Sequence, residues 1–419
     1  MLGSVFTAPK SIDDYRPIIG EERINELKAL ARPLQGAKVL HLNATAFGGG
    51  VAEILTSLVP LMNDLGLVAD WQVIHGADEF FKVTKAMHNS LQGTFVQWTP
   101  EMRQTWLHYN EMNADDLLEA DFDFIMIHDP QPAAIPYLIS KRRPEARRSK
   151  WIWRCHIDLT QAQVDTWDFL HPYLEVYDGS IFTLESYVKP NLKLPRLFIV
   201  PPSIDPLTTK NTQLAPETVD AILSQYGVDP NQPMVVQVSR FDPWKDPLGV
   251  IDAYRIVKKD IPDLHLVMVA SMANDDPEGW EYYERTVRHA GEDFDIHILS
   301  NLNGVGNVEV NAFQTASKVI IQKSVREGFG LTVTEGLWKG KPVVGGNVGG
   351  IPLQIIDDRT GYLVNTVSEC AERVLFLIQH PEEAERLGQA GREHVRENFL
   401  TTRQLRDYLR IFRTLADVE

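Results

Sequence analysis

The sequence predicts an α/β protein built from two doubly wound, Rossmann-like domains facing a deep cleft, and three observations carry that prediction. The chain has 419 residues, more than one ordinary hydrophobic core organises. Short apolar runs alternate with amphipathic helical patterns along most of it, as in parallel sheets covered by helices on both faces. The alternation is broken at residues 200–217, VPPSIDPLTTKNTQLAPE, by a double proline and a Ser/Thr/Asn-rich stretch that reads as a linker. The expected domains are 1–205 and 206–400, with 401–419 forming a last helix that reaches back to the first domain.

In the first half, strands are expected at KVLHLNA (38–44), ADWQVIHG (69–76), DFDFIMIHD (121–129), KWIWRCHID (150–158), GSIFTL (179–184) and RLFIVPP (196–202). The polar-aromatic stretch 100–118 reads as an extra helix. The second half repeats the pattern at PMVVQVS (233–239), LHLVMVA (264–270), DIHILSN (295–301), KVIIQKS (318–324) and KPVVGG (341–346). From PEEAERLGQ (381–389) to LRDYLRIFRTLADV (405–418) the patterns are helical with no strand between them. In an open parallel sheet ligands bind beyond the carboxyl ends of the strands, so the loops that follow strands are where chemistry is expected.

Composition narrows the partners. A hydrophobic fraction of 44% and a charged fraction of 23% belong to a globular protein. The net charge of −16 argues against nucleic acid or an anionic membrane, which demand a basic face. A single phosphorylated small molecule remains compatible, because a few local cations and a helix N-terminus suffice for it. The two cysteines, Cys155 and Cys370, lie in no metal-ligand spacing, and a reducing cytoplasmic setting is the simplest reading. The first residues lack a basic region followed by an apolar stretch, and no apolar run approaches membrane-spanning length.

Four motifs sit in the loops after strands. FGGG (47–50) places three flexible residues between a strand and a helix, where backbone N–H groups can face an anion. It matches neither a dinucleotide fingerprint nor a Walker loop, and a plain tight turn is its alternative reading. His128-Asp129 and His156-Ile157-Asp158 end two very apolar strands in equivalent positions, which favours recognition of substrate hydroxyls over two satisfied core histidines. VSRFDPWKDP (238–247) sets Arg240 and Lys245 just before a helix, a combination suited to a diphosphate, against a reading as surface pairing with Asp242 and Asp246. In REGFGLTVTEGLW (326–338), Glu327 lies in a loop and Glu335 inside the helix that follows. The amides of Gly328, Phe329, Gly330 and Leu331 are first-turn donors that favour an anion or sugar oxygens. Glu335 on the same side suits a ribose diol. A glycosidase would instead flank one scissile bond with both carboxylates, and an anion site between them argues against that.

Taken together, these residues resemble the retaining GT-B glycosyltransferases, specifically glycosyltransferase family 4. That family carries E-x7-E, here Glu327 and Glu335, an upstream Arg and Lys, here Arg240 and Lys245, a glycine-rich first loop, here Gly48-Gly49-Gly50, and a strand-end histidine, here His156. Within it, LNATAFGGGVAEIL, HGADEFFKVTKAMHNSLQG, HDPQPAA, WRCHIDL, PPSIDPL and VSRFDPWK are similar to the trehalose glycosyltransferring synthases. One departure is Asp246 directly after Lys245, where the family has a small or neutral residue; it adds negative charge beside the expected diphosphate.

The resemblance implies a retaining hexosyltransferase that joins the glucosyl unit of ADP- or UDP-glucose to free glucose, giving α,α-trehalose reversibly. Its rival is trehalose phosphorylase, which uses phosphate and shares much of the pattern. The first domain is then acceptor-binding and the second nucleotide-sugar-binding. The catalytic set implied is His156, Arg240, Lys245 and Glu327, with Arg240 and Lys245 on the leaving diphosphate and His156 near the donor 6-hydroxyl. Glu327 with Gly328 and Phe329 holds donor hydroxyls; the amides of Gly330, Leu331 and Thr332 face phosphate; Glu335 binds ribose. Gly49 and Gly50 approach the diphosphate, and Asn301 and its neighbours contact the base. Asp78, Glu79, Lys82 and Asp129 are assigned to the acceptor. No prosthetic group or protein-bound metal is expected, although Mg²⁺ can arrive with the nucleotide. A cytoplasmic homodimer is the expected assembly.

Overall fold

The computed structural model describes residues 2–47, 49–143, 149–270, 272 and 277–417. In chain order the elements are β1 (Gly3–Ser4), α1 (Arg16–Ala31), β2 (Lys38–Asn43), α2 (Gly50–Asp64), β3 (Val68–Val73), α3 (Asp78–Leu91), α4 (Pro100–Leu117), β4 (Phe124–His128), α5 (Ile135–Arg142), β5 (Lys150–Arg154), α6 (Val164–Leu174), β6 (Gly179–Phe182) and β7 (Leu197–Ile199). They continue with α7 (Pro216–Gln225), β8 (Met234–Val238), α8 (Pro247–Lys258), β9 (His265–Ala270), α9 (Pro277–Ala290), β10 (Ile296–Ser300), α10 (Asn307–Ala316), β11 (Val319–Gln322), α11 (Leu331–Trp338), β12 (Val343–Gly346), α12 (Ile351–Gln354), β13 (Tyr362–Val364), α13 (Val367–Gln379), α14 (Pro381–Asn398) and α15 (Thr401–Ala416). Two compact units result: Met1–Ser203 with Thr401–Glu419, and Ile204–Leu400.

In the first unit the described strands run in the order β1-β3-β2-β4-β5-β6-β7, all parallel except β1, which lies antiparallel to β3. Strands β4 and β5 are buried along nearly their whole length, which is why they read as continuous apolar runs rather than alternating ones. Leu40, Leu42, Ile125, Ile127, Trp151 and Trp153 pack on one face with Phe80, Trp106 and Trp167 of α3, α4 and α6. On the other face Phe412 and Tyr408 of α15 stack on Phe124 and His41, at ring distances of 4.7 Å and 6.3 Å. That helix buries Leu405, Tyr408, Leu409, Phe412 and Leu415, the i, i+3, i+4, i+7 stripe of a helix laid on a core. It is also fastened by polar contacts: Arg403 donates to the carbonyls of Pro201 and Pro202 at 2.7 Å and 3.2 Å, and the Ser203 hydroxyl donates to Gln404 at 2.6 Å.

The second unit holds a parallel sheet in the order β10-β9-β8-β11-β12-β13 among the described residues. Its core joins Val235, Leu266, Met268, Ile321 and Val344 of the sheet to Val250, Ile251 and Tyr254 of α8 and Val374 and Leu377 of α13. Each sheet reverses its winding once, at β2/β4 in the first unit and at β8/β11 in the second. Such switch points splay the outgoing loops apart and are where doubly wound folds take ligands.

Two strands escape the apolar-run reading. β1 has two residues and β13 three, too few to form a pattern. Conversely, the apolar run at 150–158 outlasts β5, which stops at Arg154, because Cys155, Ile157 and Asp158 stay buried after leaving the sheet.

Candidate active site

The β8/β11 switch point of the second unit brings two loops together. The carbonyl of Trp244, in the loop after β8, accepts the Val325 N–H of the loop after β11 at 2.8 Å, and the Arg326 guanidinium lies 5.0 Å over the Trp244 ring. This docking sets Lys245 Nζ 2.5 Å from Glu327 Oε2, with both side chains largely buried. The Ser324 hydroxyl lies 3.3 Å from the same carboxylate oxygen. Asp242 accepts the Lys245 N–H at 3.1 Å and so fixes the turn that presents the lysine. Burial pushes the Asp242 carboxyl upward, against the pull of Lys245 and Arg240. Arg240 itself is 67% exposed, 3.3 Å from Asp242, and therefore a reaching cation rather than a fixed one.

Asp246 does something the sequence does not foretell. It sits in the left-handed region at φ 48°, caps α8 by accepting the Gly249 N–H at 3.1 Å, and pairs with Lys323. Its charge is spent on a helix N-terminus and a buried ammonium, so Lys245 keeps Glu327 as its partner.

Helix α11 begins beside that pair. Gly330 has φ +83°, and a Cβ there would lie 3.1 Å from the Glu327 side chain, so glycine both makes the turn and leaves room for the carboxylate. The Phe329 ring is anchored against Phe399 and its carbonyl accepts from Gln354. Leu331 and Thr332 open the helix, and the Thr332 hydroxyl bonds Gln322 at 3.2 Å. Glu335, the expected ribose ligand, lies inside the unit. It is fully buried, because this flank of α11 packs on α10 and on the segment following the unit boundary. Lys210 Nζ lies 2.8 Å from its Oε1, and Gln314 donates to Oε2 at 3.3 Å. Burial alone would raise this carboxyl, but Lys210 and Lys339 outweigh it and hold it below the usual range. Burial lowers the Lys339 ammonium to about 8. The Asn301 side chain is already engaged, accepting from Met272 N–H at 2.7 Å and donating to Met272 O at 3.0 Å, which leaves its backbone as the part able to meet a ligand.

The other candidates lie in the first unit, on loops and turns that follow β2, β3, β4 and β5. Gly49, at φ +119°, precedes α2 and Gly50 opens it; Gly48 lies outside the described residues. Asp129 follows β4 at φ 62°, and its Oδ1 accepts the His156 N–H at 2.8 Å, tying the ends of β4 and β5 together. Burial raises the Asp129 carboxyl to about 6 even though the His156 amide and Arg154 favour its charged form. Asp78, Glu79 and Lys82 are exposed on the first turns of α3, after β3, and the Tyr109 hydroxyl donates to Glu79 at 2.9 Å. Among the described residues no hydrogen bond or ion pair joins these three to Asp129.

Residues that motif reading passed over stand behind those it found. Lys210 lies within the stretch read as a linker, and His41 within the strand expected at 38–44. Arg154 is fully buried with no hydrogen-bond partner for its guanidinium nitrogens among the described residues. A polar residue inside an otherwise apolar strand is the signal that singles out His41 and Arg154. Among the described residues no three His, Cys, Asp or Glu side chains are placed to hold a metal, and no helix is long and apolar enough to cross a membrane.

Residues 41–189 match the family model described as trehalose synthase, N-terminal domain, and residues 219–394 match glycosyl transferases group 1. The trehalose synthase of Thermococcus litoralis is 50% identical over 96% of this chain and 96% of its own. That of Rubrobacter xylanophilus is 49% identical over the full length of both. A trehalose phosphorylase from Grifola frondosa is more distant, 28% identical over 92% of this chain and 58% of its own. Among solved structures, a sucrose-phosphate synthase from Thermosynechococcus elongatus superposes with a TM-score of 0.71 at 17% identity, covering 91% of this chain and 99% of that one, a likeness of fold alone. The fold is GT-B, and the chain belongs to the trehalose synthase family of glycosyltransferases.

Proposed function

We propose that this protein transfers the glucosyl unit of ADP- or UDP-glucose to free glucose with retention, forming α,α-trehalose reversibly. The observation that carries this reading is the near-50% identity to trehalose synthases along essentially the whole chain. The phosphorylase alternative rests on a far weaker likeness. Arg240 and Lys245 take the leaving diphosphate, with the amides of Gly330, Leu331 and Thr332 at the α11 N-terminus. Glu327, with the Gly328–Phe329 backbone, holds the donor hydroxyls while its contact with Lys245 links the sugar to the phosphate. His156 meets the glucosyl unit near its 6-hydroxyl, Gly49 and Gly50 approach the diphosphate, and the Asn301 backbone meets the base.

Glu335 takes the ribose, which requires Lys210 to yield its place on that carboxylate. On the acceptor side Asp129, Asp78, Glu79 and Lys82 supply the carboxylates and donors for glucose. In a retaining transfer of this kind no side chain need form a covalent intermediate. The departing phosphate takes the acceptor proton, and the protein supplies orientation and charge stabilisation. The resemblance also supports a homodimer working in a reducing cytoplasm, a setting consistent with two free, buried cysteines; sedimentation of the purified protein as a monomer would remove the dimer.

The discriminating experiment separates nucleotide from phosphate. Glucose with ADP- or UDP-glucose in phosphate-free buffer should yield trehalose and the nucleoside diphosphate. Trehalose breakdown to glucose 1-phosphate, dependent on phosphate and indifferent to nucleotide, would establish the phosphorylase instead.

A further inference from the structure

Beneath α15 in the first unit, three histidines from three strands or strand ends form a continuous hydrogen-bonded chain. His41 Nδ1 lies 3.1 Å from His128 Nε2, and His128 Nδ1 lies 3.0 Å from His156 Nε2. The rings of His128 and His156 are nearly parallel, 16° apart, and His41 is covered by the Tyr408 ring. His41 and His128 are buried, while His156 at the end of the chain is partly exposed. Nothing in the transfer reaction as proposed above uses the first two.

Proton counting gives the chain a direction. Burial, together with the neighbouring Arg154 cation, holds His128 and His156 well below the ordinary imidazole value, and burial takes His41 to about 3. Three neutral rings carry three N–H groups, and the two contacts use one each. His128 cannot donate at both ends without becoming a buried cation, nor accept at both without losing its only proton. Two arrangements remain. In one, every proton points towards His41 and leaves an N–H on its Nε2, an atom that is buried and has no hydrogen-bond partner among the described residues. In the other, every proton points towards His156, and His41 Nε2 is left as a bare lone pair. A buried N–H without an acceptor is the rarer and costlier defect, so the second arrangement prevails.

We infer that His41 and His128 are positioning residues that lock His156 as its Nδ1–H tautomer, so that the exposed edge of the ring presents a hydrogen-bond donor. Without the chain an imidazole is free to place its proton on either nitrogen, and the nitrogen it shows to a ligand is set by the bond its other nitrogen makes. The locked donor is matched to an oxygen acceptor such as a sugar hydroxyl lone pair. The partner oxygen rests on the function proposed above; the tautomer does not.

The test uses the full chain labelled with ¹⁵N-histidine. Long-range ¹H–¹⁵N spectra of the resting protein near neutral pH should show His156 and His128 protonated at Nδ1, and His156 should move towards Nε2–H when His128 is replaced, as in His128→Phe. His156 protonated at Nε2 in the unaltered protein overturns the inference. It is overturned equally if the His156 signals of a folded His128→Phe protein are unchanged. Should that variant not fold, the spectrum of the unaltered protein decides alone. Kinetics give a second readout: His41→Leu should lower kcat roughly tenfold with little change in KM for the nucleotide sugar, and His41→Gln, whose amide can still donate to His128, should restore most of it. Equal loss in both variants assigns His41 to packing and contradicts the inference. Absence of trehalose formation from every nucleotide glucose would count against the proposed reaction while leaving the tautomer result standing, so the two failures are distinguishable.

Discussion

Glu327 is held between Lys245 and Ser324, so its carboxylate is oriented within the site. Glu327→Gln is accordingly expected to lower kcat by about 10²–10³ while changing nucleotide affinity only a few-fold, the pattern of an interaction made chiefly in the transition state. Single-turnover rates and nucleotide titration of the same preparation check it. Glu335 is a different kind of residue, a buried charge whose nearest cation is Lys210. Lys210→Met strands that charge and should destabilise the second unit by roughly 3 kcal/mol in urea unfolding, with Glu335→Gln in the same chain recovering much of the loss.

Asp129 carries the pH signature at this scale. Its carboxyl rises from 3.8 to about 6 on folding, so the folded chain binds this proton more tightly than the unfolded one. Stability contributed by this group is present below pH 4 and is lost as pH rises through about 6. If the ionised form serves the acceptor, kcat/KM for glucose rises through an inflection near 6, and Asp129→Asn, which tolerates the same left-handed backbone, abolishes that inflection. Of the candidate residues, Glu327 and Lys245 were singled out in the sequence by their offsets from strands and glycines, and the structure brings the two together. Lys210 and His41 were not, since each gains its meaning from a partner more than eighty residues away in the sequence or buried beneath another element.

Among the elements, the start of α8 shows how a local charge is assigned. Asp246 looks in sequence like a competitor for Lys245, yet it caps the helix and neutralises Lys323. Asp246→Ala removes the cap and leaves Lys323, only 6% exposed, without this partner, so a loss of about 1–2 kcal/mol is expected in thermal or chemical unfolding. Asp246→Asn, which keeps the cap oxygen, should lose less; equal losses would mean that the charge pair rather than the cap dominates. The same loop illustrates why offsets alone mislead. Adjacent residues of a turn point in different directions, and Lys245 and Asp246 part company at a single left-handed residue.

At the scale of the whole molecule, the two parallel sheets were legible from continuous apolar runs. The strand order within each sheet was not, because periodicity records what a strand buries and not which neighbour it pairs with. That order matters within each unit, since the reversals at β2/β4 and at β8/β11 each decide which of that unit's loops lie together. The reaction proposed above is a retaining transfer from a nucleotide sugar to glucose. Following ADP- or UDP-glucose labelled with ¹³C at the glucosyl C1, in the presence of unlabelled glucose, by NMR tests it most directly. The expected product is α,α-trehalose with one α-configured labelled anomeric carbon, formed in step with the nucleoside diphosphate and without added phosphate. A β-configured product, labelled free glucose as the main product, or no reaction until phosphate is added would contradict it.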